Sequence, residues 1–226
     1  MTARTPPLAV LALFALTACG PTKSIYLDTA GIHPEYSLVK DGASPLRAVA
    51  LFRAYDAEGD LLTLVDGDEI AIDGEKVEPT SGDRYERLVP DAPSHSFTFS
   101  RADEQPVTHT IETSPPFKPE VSPPSAASLA PLLVWERDDG STFNVSATWA
   151  NTNQSTCPSL PPVENRNDLG SLRLDFANLA PDLRDAQCTY TLQFTRSETA
   201  SIGAPFGGGS LHTESTAKLV LQVQFP

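Results

Sequence analysis

The stretch DEIAIDGEKVEP, residues 68 to 79, decides the fold. Its apolar side chains alternate with polar or small ones, and an Asp73–Gly74 pair stands between Ile72 and Val77. Asp-Gly is a strong signal for a two-residue hairpin loop, because both loop positions take positive φ. The stretch therefore predicts two antiparallel strands that meet at residues 73 and 74.

Short runs of the same kind recur on both sides of this hairpin, whereas no segment shows apolar residues at helical spacing over three turns. We expect a first strand at SIYLD (24–28). The other runs are RAVALFRAYD (47–56), LLTLVD (61–66), RYERLV (84–89), SFTFSR (96–101), VTHTIE (107–112), LLVWER (132–137), FNVSATWA (143–150), SLRLDF (171–176), CTYTLQFTR (188–196) and AKLVLQVQF (217–225). Strands that recur every 8 to 12 residues or so favour an all-β, antiparallel sandwich.

The run CTYTLQFTR shows what kind of strand to expect in the C-terminal half. Tyr190, Leu192 and Phe194 fall on one face and threonine or glutamine on the other, so the strand has a wet side. The polar segment 152–168 and the segment 197–212 are predicted to be long loops. The second of these contains glycines 207 to 209 and is expected to be mobile.

A proline-rich stretch, residues 112 to 131, interrupts the strand rhythm with six prolines. Proline donates no backbone hydrogen bond, so this stretch predicts an extended segment between two domains. We expect an N-terminal β-sandwich over 24–112, a linker over 113–131 and a C-terminal β-sandwich over 132–226. Phe117 and Val121 could still pack as an edge strand that opens the second domain.

The N-terminus has the layout of a secretory signal: Arg4, an apolar run from Leu8 to Leu16, and small residues before Cys19. The run is shorter than the roughly 20 residues that a membrane-spanning helix needs. Residues 1–18 are therefore predicted to be a cleaved signal peptide.

The residues Leu16, Thr17, Ala18 and Cys19 resemble the lipobox of bacterial lipoproteins. The resemblance implies a mature chain that starts at Cys19, with a diacylglycerol on the thiol and an acyl chain such as palmitate on the new amino terminus. Residues 19–23 would then be a short tether. Gly20 is not the aspartate that often retains such proteins in the inner membrane, which favours the outer membrane. The alternative is an ordinary secreted protein cleaved after Ala18.

Charge narrows the classes of partner. The chain carries a formal charge of −13, and loss of Arg4 with the leader leaves 15 basic against 29 acidic residues, a charge of −14. An acidic body repels phosphate backbones and anionic headgroups, which argues against nucleic acid and against electrostatic docking to membranes. The expected membrane contact is the N-terminal lipid.

With Cys19 assigned to lipid, Cys157 and Cys188 remain as a pair in an exported, oxidising context, which predicts one disulfide. The chain-entropy model gives such a loop roughly 3.5 kcal/mol of stabilisation. Metal binding by two cysteines without a nearby histidine is the weaker reading.

Taken in order, the segment 67–90, SFTFSR, PPFKPEVSPP, LLVWER, the cysteine pair and the segment 190–211 resemble a group of uncharacterised bacterial lipoproteins. The resemblance implies two tandem immunoglobulin-like or fibronectin III-like β-sandwich domains on a lipid anchor. The chain departs from antibody-type domains, because Trp149 precedes both cysteines and Tyr190 follows Cys188. We therefore expect the disulfide to join a loop to a strand.

Two acidic clusters are candidates for a calcium site, since Ca²⁺ takes six to eight oxygen ligands or so. The EF-hand pattern is excluded, because the twelfth position from Asp56 is Gly67. The remaining alternatives are a weak loop-borne Ca²⁺ site and plain solvated turns. The candidate ligands are Asp56, Glu58, Asp60, Asp66 and Asp68.

No pattern for catalysis is present. The four histidines are scattered without metal-ligand spacing and are expected at the surface, and no Gly-x-Ser-x-Gly, Ser-x-x-Lys or phosphate-binding glycine loop occurs. Trp135 and Trp149 stand in apolar strands and are expected in the core. The sequence thus predicts a non-enzymatic envelope protein with a structural or partner-binding role and no cofactor. The alternative is a ligand-binding module for calcium or carbohydrate.

Overall fold

The computed structural model describes residues 22–80, 82–114, 117–122, 129–136, 144–151, 157–159, 163–176, 178 and 186–225. The predicted leader and Cys19 lie outside these ranges. Within them, two short 3-10 helices, Ser24–Tyr26 and Thr29–Gly31, are the only helical turns, and the remaining regular structure is β. No helix in these ranges is both long enough and apolar enough to cross a bilayer. The all-β prediction is confirmed.

The described residues contain sixteen strands. They are β1 (Thr22–Lys23), β2 (Ile32–Asp41), β3 (Leu46–Ala54), β4 (Leu62–Thr63), β5 (Glu69–Ile72), β6 (Glu75–Lys76), β7 (Tyr85–Val89), β8 (Ser94–Ser100), β9 (Val107–Glu112), β10 (Glu120–Val121), β11 (Leu132–Val134), β12 (Asn144–Asn151), β13 (Val163–Asn167), β14 (Ser171–Arg173), β15 (Gln187–Ser201) and β16 (Ser210–Gln224).

Four sheets form from these strands. The largest has seven strands in the order β13-β12-β15-β16-β2-β3-β7, and the others have the orders β6-β5-β8-β9, β10-β11-β14 and β1-β4. In the seven-stranded sheet only β16 and β2 run parallel; the other neighbours are antiparallel. The last strand of the chain therefore joins the sheet that the first long strands begin.

The hairpin of β15 and β16 is the longest feature of the molecule. Each strand has 15 residues, and their pairing is continuous from Gln187↔Gln224 to Ser201↔Ser210. At about 3.3 Å per residue the hairpin is about 46 Å long. In its far half, the half next to the turn, β16 pairs with β2 from Ser210 to Thr216. In its near half, the half that contains Gln187 and Gln224, β15 pairs with β12. One hairpin thus runs through both halves of the structure.

The first core lies between the β2-β3-β7 end of the large sheet and the four-stranded sheet. Tyr36 and Phe97 stack at 4.9 Å in its centre, and Phe99 packs against Phe206 at 5.5 Å. Phe206 and Ile202, from the tip of the β15–β16 hairpin, are both 4 % exposed and belong to this core. The domain limits 24–112 and 132–226 stay a prediction. Both side chains belong by sequence to the predicted C-terminal domain, but they pack in the core formed by strands of the N-terminal one.

The tip of this hairpin corrects the expectation of a long mobile loop over 197–212. Residues 197–201 and 210–212 are strand, and only 202–209 form the turn. A Cβ on Gly207 would lie 2.2 Å from the Ala30 carbonyl oxygen, and one on Gly209 would lie 2.5 Å from that of Pro34. Glycine is therefore needed at these positions because the turn packs closely against the start of β2. From the composition alone, the same glycines suggest a flexible loop.

The second core lies between the near half of the hairpin and the three-stranded sheet. Tyr190, Leu192 and Phe194 are buried, whereas the residues between them are half-buried or exposed, so the wet side of this strand is confirmed. Phe117 is buried in the same core and Glu120–Val121 pairs with β11, as expected of an edge strand. Trp135 is also buried there. Nothing is described of the Trp149 side chain.

Three local predictions are wrong. Residues Ser24–Tyr26 of SIYLD form a 3-10 helix and no part of it is a strand. The segment Val163–Asn167 is a strand inside a predicted loop, and β2 was not predicted from the sequence. β2 does alternate, with Ile32, Pro34, Tyr36 and Leu38 buried. Its proline and charged residues concealed the pattern. By contrast, the 73–74 hairpin is confirmed, with φ of 52° at Asp73 and 77° at Gly74.

Candidate functional site

The disulfide between Cys157 and Cys188 is present, so this prediction is confirmed. Cys188 lies on β15 and Cys157 lies outside the strands, so the bond joins a loop to a strand as expected. The Tyr190 hydroxyl donates a hydrogen bond to the Pro158 carbonyl at 3.0 Å, which fixes the same loop a second time. Burial raises the pKa of Tyr190 to about 12, so the hydroxyl keeps its proton.

Two of the five candidate calcium ligands make local contacts through their carboxylates. The Asp68 side chain is 4 % exposed and pairs with Arg101 at 2.7 Å, while the Asp56 carboxylate accepts the backbone N–H of Glu58 at 2.9 Å. Across the described ranges, no group of three or more His, Cys, Asp or Glu side chains is arranged to hold a metal ion. The structure therefore gives Asp56, Glu58, Asp60, Asp66 and Asp68 no common site.

Arg101 connects the start of the described chain to the first core. Its guanidinium donates to the backbone oxygens of Ser24 and Leu27 at 3.0 and 2.9 Å and to both carboxylate oxygens of Asp68. The hydrogen bonds that the guanidinium donates to Asp68 raise the pKa of this already basic group further. We call this arrangement the entry clamp. Sequence reasoning missed it, because an arginine at a strand end is usually solvated.

One histidine is buried and a second is half-buried with its ring against the first core, which corrects the expectation that all four lie at the surface. His95 is 2 % exposed and its Nδ1 lies 2.6 Å from Asp73. His109 shares the inward parity of Val107 and Ile111, and its ring lies 6.0 Å from those of Tyr36 and Phe206. Burial lowers the pKa of His109, which favours the neutral ring.

A buried ion pair occupies the second core, where the sequence predicts only apolar packing. The Arg196 and Asp168 side chains are each 1 % exposed and lie 2.8 Å apart. Trp135 Nε1 donates to the same carboxylate at 2.8 Å, Arg196 donates to the Glu136 carbonyl at 2.7 Å, and the guanidinium lies 4.5 Å from the Phe117 ring centroid. The alternation of Tyr190, Leu192 and Phe194 also places residue 196 on the inward face. This alternation is the feature of the sequence from which burial of Arg196 could have been predicted.

Three outward side chains on the hairpin adopt an order seen in hydrolases. Thr199 Oγ1 lies 3.0 Å from His212 Nδ1, and His212 Nε2 lies 3.6 Å from Glu214. Thr199 and His212 are cross-strand partners, so pairing alone brings them together. His212 and Glu214 are each one-third exposed. We interpret the trio as a surface contact, because a catalytic hydroxyl also needs an enclosed site with oxyanion donors.

A cavity of about 630 Å³ lies where the linker leaves the first core; its described lining is Lys40, Asp91, Ala92, Pro93, Ser94, Glu112, Thr113 and Ser114. Lys40 Nζ pairs with Asp91 at 2.5 Å on one wall. On the other wall, the Ser114 hydroxyl bonds to that of Ser215 at 3.1 Å, which ties the linker to β16. We call this the waist cavity.

A second, open groove of about 280 Å³ shares Glu112 with the waist cavity; the rest of its described lining is Thr110, Ile111, Glu198, Ala200, Leu211 and Thr213. One side is β9, the last strand of the four-stranded sheet. The other side is the end of β15, past Ser197, the last residue that pairs with β12. We call this the edge groove. Two sheets end side by side along it.

The backbone of β9 presents hydrogen-bonding groups to the edge groove. Thr113 N–H donates to the Pro93 carbonyl at 2.8 Å, so residue 113 faces the neighbouring strand β8. Backbone groups alternate sides along an antiparallel strand. Residues 109 and 111 therefore also face β8, whereas the N–H and C=O groups of Thr108, Thr110 and Glu112 face away from it.

Comparison of the sequence with protein-family models and with curated proteins found no match.

Proposed function

We propose that the protein is a lipid-anchored component of the bacterial cell envelope with a non-enzymatic, partner-binding role. In this proposal Cys19 carries the lipid, the outer membrane holds it, and the two cores are the centres of two immunoglobulin-like sandwiches. The lipobox-like residues 16–19 and the signal-like leader support the anchor. The exported context agrees with the Cys157–Cys188 disulfide.

The layered cores support the sandwich assignment. Each core is closed on one side by the seven-stranded sheet and on the other by a smaller antiparallel sheet. Two sheets that pack face to face around alternating inward residues are the architecture of such domains. The continuous β15–β16 hairpin lies in both, which favours a stiff two-domain body that could hold a partner at a fixed place.

The open edge of β9 is the observation that carries the partner-binding role. Edge strands with unpaired N–H and C=O groups accept a further strand from another chain, and soluble proteins normally protect such edges. Among the described residues no strand pairs with this side of β9, and Thr110 and Glu112, two of the three residues whose backbone groups face away from β8, line the edge groove. A partner segment that enters as a strand would bond to these groups and place alternate side chains against Ile111 and Leu211.

The charge of the edge groove favours a basic partner segment. Glu112 is exposed and is part of its described lining, which includes no lysine or arginine. Opposite charges across an interface speed encounter and select partners. We therefore infer that the bound strand carries lysine or arginine where it passes the Glu112 carboxylate.

The test is photocrosslinking in intact cells with a photoreactive phenylalanine at Thr110, and with the same group at Leu169, which is 68 % exposed and lies outside the strands, as the control. We expect a discrete crosslinked partner from position 110 and none from position 169. Recovery of the protein alone from both positions would overturn the proposed role.

A proline substitution separates edge binding from stability. Thr110→Pro removes an N–H that faces the groove and leaves the β8–β9 bonds in place, whereas Thr110→Ala keeps that N–H. We expect Thr110→Pro to abolish partner capture without a large change in the thermal midpoint, and Thr110→Ala to retain capture. Equal capture by both variants would contradict strand addition.

A further inference from the structure

The end of the molecule where the chain enters the first core exposes large apolar side chains. Ile25 is 44 % exposed, Tyr26 72 % and Tyr55 69 %. They are three of the six large hydrophobic residues found exposed in the described ranges, the others being Leu88, Leu169 and Val220. Exposed apolar groups that cluster at one place mark contact surfaces, whereas scattered ones do not.

Backbone contacts bring these three residues to the same end. The Tyr55 N–H donates to the Gly31 carbonyl at 2.8 Å, and Ile32, the next residue, pairs with Ala54. Tyr26 lies in the 3-10 helix that precedes Gly31 by a few residues. Tyr55 also has a φ of 69°, a backbone region that bulky residues rarely adopt.

This end of the chain is fixed to the body from its first described residues, by strand pairing and by the entry clamp. Thr22 and Lys23 pair with β4, the Ser24 hydroxyl accepts the Val65 N–H at 3.2 Å, and Arg101 binds the Ser24 and Leu27 carbonyls. The side chain of Arg101 is 11 % exposed. The chain is therefore part of the folded body by residue 22, and only residues 20 and 21 separate it from Cys19.

This short separation limits how far the body can stand from a bilayer. Three Cα-to-Cα steps of about 3.8 Å join Cys19 to Thr22, so the two Cα atoms are at most about 11 Å apart. The headgroup region of a bilayer is about 5 to 8 Å thick on each side. If acyl chains on Cys19 lie in the hydrocarbon, Thr22 lies at or close to the headgroups, and the 3-10 helix Ser24–Tyr26 follows two residues later.

We propose that Ile25, Tyr26 and Tyr55 form a membrane-contact face that rests in the headgroup layer beside the lipid on Cys19; the inference rests on the proposed lipid anchor. Tyrosine suits this layer, because its ring is apolar and its hydroxyl stays wet. Asp56 and Glu58 are exposed next to Tyr55, so the face suits zwitterionic headgroups and not anionic ones. The tip of the long hairpin lies at this same end, because a Cβ on Gly207 would lie 2.2 Å from the Ala30 carbonyl oxygen and 4.0 Å from that of Tyr55. The open end of the hairpin therefore carries the second core away from the membrane.

The test uses the mature, lipidated protein in vesicles of phosphatidylethanolamine and phosphatidylcholine whose acyl chains are brominated near the headgroup. Tyr26→Trp and Tyr55→Trp each add one fluorophore to the parent's two tryptophans. Leu88→Trp and Val220→Trp are matched controls at residues 62 % and 61 % exposed. Bromine quenches a tryptophan ring only at close range.

We expect the added emission at positions 26 and 55 to be quenched at least twofold more than at 88 and 220, and the difference to shrink when anionic lipid replaces half of the zwitterionic lipid. Equal quenching at all four positions in protein shown by mass spectrometry to carry lipid on Cys19 would overturn the contact face. Absence of lipid on Cys19 in material from native cells would instead overturn the anchor itself, so the two failures are distinguishable.

Discussion

Replacement of Asp168 by asparagine tests whether the buried pair in the second core is a true ionic contact. The change keeps an oxygen that can accept the Trp135 N–H but removes the charge 2.8 Å from Arg196. A cation that is 1 % exposed would then lack its counter-charge. Removing one partner of a buried pair costs about 3 to 5 kcal/mol.

The measurements are urea unfolding, which gives the free energy of unfolding, and thermal unfolding, each followed by tryptophan fluorescence and circular dichroism. At about 2 to 4 °C per kcal/mol for a protein of this size, the thermal midpoint should fall by about 6 to 20 °C. Asp175→Asn is the control, because Asp175 is exposed and, among the described residues, its carboxylate accepts hydrogen bonds from nearby Asn178 groups. That change should alter the free energy of unfolding by less than about 0.5 kcal/mol.

A double variant identifies the cause of the loss. Asp168→Asn combined with Arg196→Met removes both charges and keeps the acceptor for Trp135, and replacement of a buried pair by uncharged groups is often close to neutral. Most of the stability lost in the single variant should therefore return. A single variant that loses less than about 1 kcal/mol, or a double variant no more stable than the single one, would refute the reasoning, because an unpaired buried charge could not then be the dominant cost.

Three further predictions follow from other contacts. Replacing Cys157 and Cys188 by alanine should lower the free energy of unfolding by roughly 3.5 kcal/mol, measured against the oxidised parent in urea; no loss would contradict the chain-entropy argument. Phe206→Ala, at a side chain 4 % exposed in the first core, should cost about 3 to 5 kcal/mol, whereas a merely mobile tip would show almost no effect. Although partial burial of Asp73 opposes it, hydrogen bonds from His95 and the Ser96 N–H lower the pKa of this carboxyl, so its stabilisation is complete above the unfolded pKa of about 3.9 and disappears as the pH falls below it. The stability gap between the parent and Asp73→Asn should accordingly close in urea titrations at low pH, and a constant gap from pH 7 to pH 3 or so would count against the pairing.

Local pattern was enough for much of the strand content. Alternation along 188–196 identified the inward face, and Asp73–Gly74 identified a hairpin, because turn chemistry and side-chain parity are properties of a few adjacent residues. The cysteine pair was also predictable, since only two cysteines remained after Cys19. An apolar pattern does not identify an inward position that carries a charge: Arg196 is buried on the face of Tyr190, Leu192 and Phe194, but its side chain is not apolar.

The sequence by itself determined that this chain is built from strands, which faces of several strands are buried, and where one hairpin and one disulfide lie. Only the tertiary structure decided that Thr216, 175 residues after Asp41, bonds to it in a shared sheet, and that Arg101 fixes Ser24. The physical reason is that periodicity reports whether a residue meets core or water, while the choice of a distant partner depends on how whole sheets pack.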